Sequence, residues 1–109
     1  MPPLEAHHII PLELMDSPIV QSAALDGFHI NDIINGIGLE SPSLHNGSHP
    51  KYTDYVNRLI QQRESRNSGY TSQQANNYLQ QTLIRTVKTE IYNAQRLGRK
   101  LEDHFSTLL

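Results

Sequence analysis

From Pro50 onward apolar residues recur at helical spacing. Tyr52, Tyr55, Val56, Leu59 and Ile60 stand at i, i+3, i+4, i+7 and i+8 and predict an amphipathic helix. Pro50 suits the first turn, where its missing N–H leaves no bond unmade, and Ser48 or His49 can cap it. The breaker cluster Arg66-Asn67-Ser68-Gly69 ends that pattern. Thr71 or Ser72 can then cap a long final helix, whose stripe is Ala75, Tyr78-Leu79, Leu83, Val87, Ile91, Ala94, Leu97-Gly98, Leu101 and Phe105. That stripe is core material and carries no chemistry.

Before Pro50 the patterns are shorter. Ala6 to Ile10 ends in β-branched Ile9-Ile10 and stops at Pro11, which predicts a strand that ends there. Residues 12–25 (LELMDSPIVQSAAL) predict a short helix interrupted before Pro18. Asp26-Gly27 turns the chain, and Gly36-Ile37-Gly38-Leu39 is a candidate second strand. Gly36 to Pro50 is rich in Gly, Pro and Ser and separates the short patterns from the helical ones. The expected fold is α+β and mostly helical, in a single domain over 1–109.

With 109 residues, 37% of them hydrophobic and none of them Trp, the chain can build only a modest core, so a bound metal or partner would add useful stability. The absence of Cys excludes disulfides and thiolate sites and leaves His, Asp, Glu and Asn as the ligand chemistry, which favours hard or borderline cations. No apolar run approaches the length of a membrane span, and Met1-Pro2-Pro3 is no signal peptide, so no membrane partner is expected. Charge is unevenly spread. Residues 1–50 hold six acids and no Lys or Arg, net −6; residues 51–109 hold nine basic side chains against five acids, net +4. A basic half is a mild hint of phosphate-bearing partners, although on charge alone a solvated helix of mixed charge is the better explanation.

The histidines carry more. Five of the six lie in the first 49 residues, as an adjacent pair, His7-His8, a pair four apart, His45 and His49, and His29. Neighbours on a strand point to opposite faces, so one of the doublet can bind a metal while the other addresses a different point of the same site. Residues four apart at a helix start can converge on one cation. Three imidazole ligands leave positions open for water or a phosphate oxygen, and a fourth His, with a pKa near about 6.5, suits a general base. His29 and His104 fall outside this grouping and are read as structural or surface residues.

With Ala6-His7-His8-Ile9-Ile10-Pro11, Asn35-Gly36-Ile37-Gly38-Leu39 and His45-Asn46-Gly47-Ser48-His49-Pro50-Lys51-Tyr52 in order, the chain resembles the AHH family of the His-Asn-His/endonuclease VII superfamily, found mainly as toxin domains of bacterial polymorphic toxins. The resemblance covers about residues 6–56, roughly half of the chain. It implies a ββα-metal (His-Me) finger over 6–65 with a short inserted helix, followed by a long C-terminal helix over 70–107. It implies one divalent ion (Zn, Ni, Mg or Mn) and, as in the similar DNase colicins, His7, His45 and His49 as ligands with His8 as the base that activates water. Asn35 matches the central Asn, whose hydrogen bonds pin the loop that orients the base. Gly47 and Pro50 argue against one regular helix holding both His45 and His49, so Asn46 stands as the alternative to His45. Lys51, Tyr52 and Arg58 are candidates for substrate contact, and Arg63, Arg66, Arg85, Lys88, Arg96, Arg99 and Lys100 for further backbone contacts. Tyr52 equally suits the start of the apolar face.

The activity so implied is metal-dependent endonucleolytic hydrolysis of nucleic acid, DNA in preference to RNA. The resemblance further implies delivery into the cytoplasm of a target bacterium and neutralisation by a cognate immunity protein. The triplet's place at residue 6 leads us to expect one domain of a longer protein. The rival reading is a non-catalytic, metal-stabilised binding module in which His7, His8, His45 and His49 all hold one structural ion. Four nitrogen ligands without Cys would be unusual for structural zinc.

Overall fold

The structure, a computed structural model, describes residues 5–39, 49–65 and 69–109. Two short strands, β1 (Glu5–His8) and β2 (Gly36–Leu39), form an antiparallel sheet with Glu5 opposite Leu39 and His8 opposite Gly36. Strand β1 stops two residues earlier than the sequence predicts. The Ile9 N–H donates to the Asn35 carbonyl at 2.8 Å and the Ile10 N–H to the Asn35 side-chain oxygen at 2.7 Å. The backbone thus leaves the ladder while both isoleucine side chains drop into the core.

The connection between the strands holds a 3₁₀ turn (Leu12–Leu14), helix α1 (Pro18–Ala24) and a second 3₁₀ turn (Ile33–Asn35) that runs directly into β2. The predicted interruption before Pro18 is present, with Pro18 in the first turn of α1. Gly27, at φ +98°, closes α1 in the Asp26-Gly27 turn: its N–H reaches the Ala24 carbonyl and the Phe28 N–H the Ala23 carbonyl, both at 3.1 Å. Phe28, just beyond, is buried.

Helix α2 (Pro50–Ser65) buries Tyr52, Val56 and Ile60 and half-buries Tyr55 and Leu59, the stripe its spacing predicts. Helix α3 (Ser72–Tyr78) opens on a capping box, in which Gln74 N–H donates to Thr71 Oγ1 at 3.0 Å and Thr71 N–H to Gln74 Oε1 at 2.9 Å. A π-helical turn (Leu79–Leu83) joins α3 to α4 (Ile84–Arg96). The core residues Ala75, Leu79, Leu83, Val87 and Ile91 are spaced by four, and each such step turns about 40° past a full circle at 3.6 residues per turn. The wider π turn absorbs part of that drift and keeps the stripe on the core.

The single helix expected over 70–107 is not formed. The helix ends at Arg96, and a separate short helix, α5 (Leu101–Ser106), follows. Gly98, at φ +67°, makes the break: its N–H donates to the Gln95 carbonyl at 3.1 Å and the Arg99 N–H to the Ala94 carbonyl at 2.9 Å, a Schellman closure at the end of α4. Leu97, assigned to the apolar stripe, is in consequence 52% exposed, whereas Leu101 and Phe105 still reach the core from the new helix. α1 packs against α3 and α2 against α5, whose Phe105 meets Tyr52 in the first turn of α2. Among the described residues no helix is long and apolar enough to cross a membrane.

Candidate active site

The alternation of β1 separates the doublet. His7 turns inward and is 4% exposed, while His8 remains half-open at a cleft of about 250 Å³ lined by His7, His8, Asn31, Asp32, Ile33, Asn35 and Gly36. In the cleft, His8 Nε2 lies 2.8 Å from Asn31 Oδ1. On the inward side the His7 ring meets His49, at the start of α2, with centroids 5.4 Å apart and planes at 71°. Tyr52 completes the group, 4.8 Å from the His7 ring and 5.4 Å from the His49 ring. The two ends of the first fifty residues therefore meet, joined by the sheet on one side and the first turn of α2 on the other.

Two imidazoles on one cation, each with a metal–nitrogen distance of about 2.0–2.1 Å, have centroids roughly 5 Å apart. The His7–His49 separation matches this, and neutral imidazole is the right donor for a borderline divalent ion. His45 and Asn46, the alternatives for a third ligand, lie outside the described residues. Among the described residues no group of three His, Asp or Glu gathers round one point.

Asn35 is a staple. It is fully buried at the end of the second 3₁₀ turn. Its Oδ1 accepts the Ile10 N–H, and its Nδ2 donates to the Ile10 carbonyl at 3.2 Å and the Ile30 carbonyl at 2.8 Å. One amide therefore ties the loop after the doublet to the segment at Ile30, beside the cleft. The turn-forming role that an Asn before Gly normally plays is present as well, since the Asn35 N–H closes the turn on Asp32 at 2.9 Å.

Tyr52 corrects an expectation. Offered as a substrate contact, it is 0% exposed, and its hydroxyl donates to the Ile9 carbonyl. Burial pushes its phenol well above the usual 10, so it remains a donor throughout the physiological range. Its ring stacks edge-on with Phe105 of α5, centroids 4.7 Å apart. Tyr52→Phe, which keeps the ring and leaves the Ile9 carbonyl without this donor, should lower stability by about 1–2 kcal/mol in urea titration with the m-value unchanged.

The remaining candidates are more dispersed. Lys51 is exposed, and its backbone N–H donates to Glu102 Oε1 at 2.6 Å, which caps the start of α2 with a carboxylate from α5. Arg58 is exposed two turns further along. Arg63 lies over the rings of Tyr70 and Tyr78, 5.2 and 5.9 Å from their centroids, and is occupied with packing. Arg66 is outside the described residues. Arg85, Arg96, Arg99 and Lys100 are exposed and Lys88 half-buried. His29 is exposed, and its Nδ1 accepts the Asn31 N–H at 3.1 Å; His104 is buried against Glu90 at 2.9 Å. Neither joins the His7–His49 group. Asn31 was missed because nothing in its spacing marks it; it lies 23 residues from His8 and meets it only through the sheet register and the Asn35 staple.

Comparison with known families adds an independent finding. A family model described as "AHH: a nuclease family of the HNH/ENDO VII superfamily with conserved AHH" matches residues 1–96. No curated protein and no solved structure matches the chain. The triplet in that description is Ala6-His7-His8 here, the segment whose two imidazoles the fold sends to opposite faces. The match spans most of the 109 residues, and this chain belongs to the AHH nuclease family of the HNH/ENDO VII superfamily.

Proposed function

We propose that this nuclease is an endonuclease that hydrolyses phosphodiester bonds of DNA in preference to RNA through a ββα-metal finger made of β1, β2 and the start of α2. His8 is the general base, and His7, His49 and either His45 or Asn46 hold one divalent cation (Zn, Ni, Mg or Mn). The observation that carries this reading is the split doublet: the buried His7 ring packs against His49, while the half-exposed His8 ring bonds Asn31 at the cleft. A non-catalytic module would need both rings on one ion, which their opposite faces disfavour.

In the reaction, His8 removes a proton from a water in the cleft, and the water oxygen forms a bond to phosphorus. The bond from phosphorus to the 3′-oxygen breaks, and that oxygen takes a proton from solvent. When bound, the cation supplies Lewis-acid stabilisation of the phosphorane charge and of the leaving oxygen. Asn35 acts at one remove, by fixing the backbone on either side of the cleft. Lys51 and Arg58 on α2, with Arg85, Lys88, Arg96, Arg99 and Lys100, offer phosphate contacts that give salt-dependent affinity and little sequence preference. The biological setting proposed with this activity is that of an interbacterial toxin domain, delivered into the target cytoplasm and held in check by an immunity protein.

Expression in bacteria of the wild type beside His8→Ala tests the reading: genomic DNA should disappear only with the wild type, and intact DNA in both cultures would contradict it. A second measurement addresses the metal. His49→Ala should weaken divalent-ion binding by at least about 100-fold in calorimetry, more than loss of an outer hydrogen-bond partner costs. Unchanged binding would remove His49 from the ligand set.

A further inference from the structure

His8 has a fixed partner in the cleft. An amide oxygen only accepts, so the 2.8 Å contact to Asn31 Oδ1 places the proton of the neutral ring on Nε2 and leaves the lone pair on Nδ1. Asn31 is itself held on three sides. Its backbone N–H donates to His29 Nδ1 at 3.1 Å, the next N–H, of Asp32, closes on the His29 carbonyl at 2.8 Å, and the preceding carbonyl, of Ile30, accepts from Asn35 Nδ2 at 2.8 Å. The same Asn35 amide grips Ile10, two residues beyond His8. One buried side chain thus fixes both segments that meet in the His8–Asn31 bond.

We propose that Asn31 is a positioning residue for the hydrolysis: it holds His8 in the Nε2–H form, with Nδ1 free to take the proton of the attacking water. The role rests on His8 being the base. When the water proton arrives on Nδ1, the Nε2–H stays bonded to Asn31, whose oxygen stabilises the cationic ring until Nδ1 returns its proton to solvent. The logic is that of any hydrogen-bond acceptor behind a catalytic imidazole, which selects one tautomer and steadies the imidazolium.

Asn31 is exposed, so substitution should leave the fold and its melting temperature unchanged. With plasmid DNA as substrate, Asn31→Ala should lower kcat about 10- to 100-fold while KM and divalent-ion affinity stay as in the wild type. Asn31→Asp, which offers the same acceptor, should restore most of the loss. Nitrogen-15 NMR supplies a readout that a merely structural role would not move: His8 should be protonated at Nε2 in the wild type and Asn31→Asp, with that proton lost to rapid exchange in Asn31→Ala. Wild-type kcat in Asn31→Ala, an Asn31→Asp variant as slow as the alanine, or a wild-type His8 protonated at Nδ1 would each overturn the proposal. His8→Ala run in parallel separates the two failures. If it still cleaves, the base assignment falls; if it is inactive while Asn31→Ala cleaves normally, only the Asn31 role falls.

Discussion

His8→Ala should give a folded protein that binds its divalent ion normally and no longer cleaves DNA. A positioned general base contributes typically about 10²–10⁴-fold, enough to take plasmid nicking below detection in an ordinary assay. The losses elsewhere are small. His8 is half-exposed and its ring makes one side-chain hydrogen bond, to Asn31, so removing it leaves no buried group unsatisfied. His7, on the opposite face of β1 and against His49, keeps its place because the strand register is set by backbone bonds. The contrast between lost turnover and retained calorimetric metal binding is the signature of a base. Joint loss of both would make His8 a ligand, and undiminished cleavage would place the base elsewhere.

Asn35→Ala should produce the largest loss of stability of any polar substitution near the site. The side chain is fully buried and makes three hydrogen bonds, all to backbone groups: the Ile10 N–H, the Ile10 carbonyl and the Ile30 carbonyl. Alanine leaves these groups unpaired in an apolar setting beside Ile9 and Ile10, at about 1–3 kcal/mol for each buried group left unsatisfied. With some relaxation the total is about 3 kcal/mol, which for a domain of this size lowers Tm by roughly 10–25 °C. Asn35→Asp should fare no better, since its acceptor oxygens would face the Ile10 and Ile30 carbonyls in place of a donor. Thermal denaturation followed by circular dichroism decides this; a variant melting within a few degrees of the wild type would show that the staple is not holding the two loops.

The fold was legible where local physics is strong. The apolar spacing of α2, the Thr71 cap, the Pro18 interruption and the Gly36–Leu39 strand all follow from single-turn chemistry, and all are present. The C-terminal helix was misread because its apolar stripe continues through Leu97 to Leu101 and Phe105, and an unbroken stripe conceals a broken backbone. Gly98 was the available signal: a glycine just past the C-cap of a helix with a basic last turn is the usual C-terminal stop, and here it outweighs periodicity. The π turn follows from the run of four-residue spacings, a drift that appears only when the phase is summed over several turns.

The site divides in the same way. That the two rings of the doublet take opposite faces was legible from strand alternation; which of them turns inward to meet His49 was an expectation of the family resemblance alone. Tyr52 was ambiguous, since a tyrosine next to a cluster of polar residues serves a phosphate or a core equally well; only the carbonyl of Ile9, 43 residues away, decides for the core. Asn31 was invisible for the same reason, because its role depends on two loops that the chain brings together only once Asn35 is buried.

The central claim is that adjacent histidines on one strand divide the labour, His7 to the metal and His8 to the water. Titration with one equivalent of paramagnetic Co²⁺, followed by proton NMR of the imidazole N–H resonances, tests this most directly. Strong contact shifts on His7 and His49, with His8 broadened by proximity alone, are the predicted result. A contact-shifted His8, or a His7 left unshifted, would contradict it.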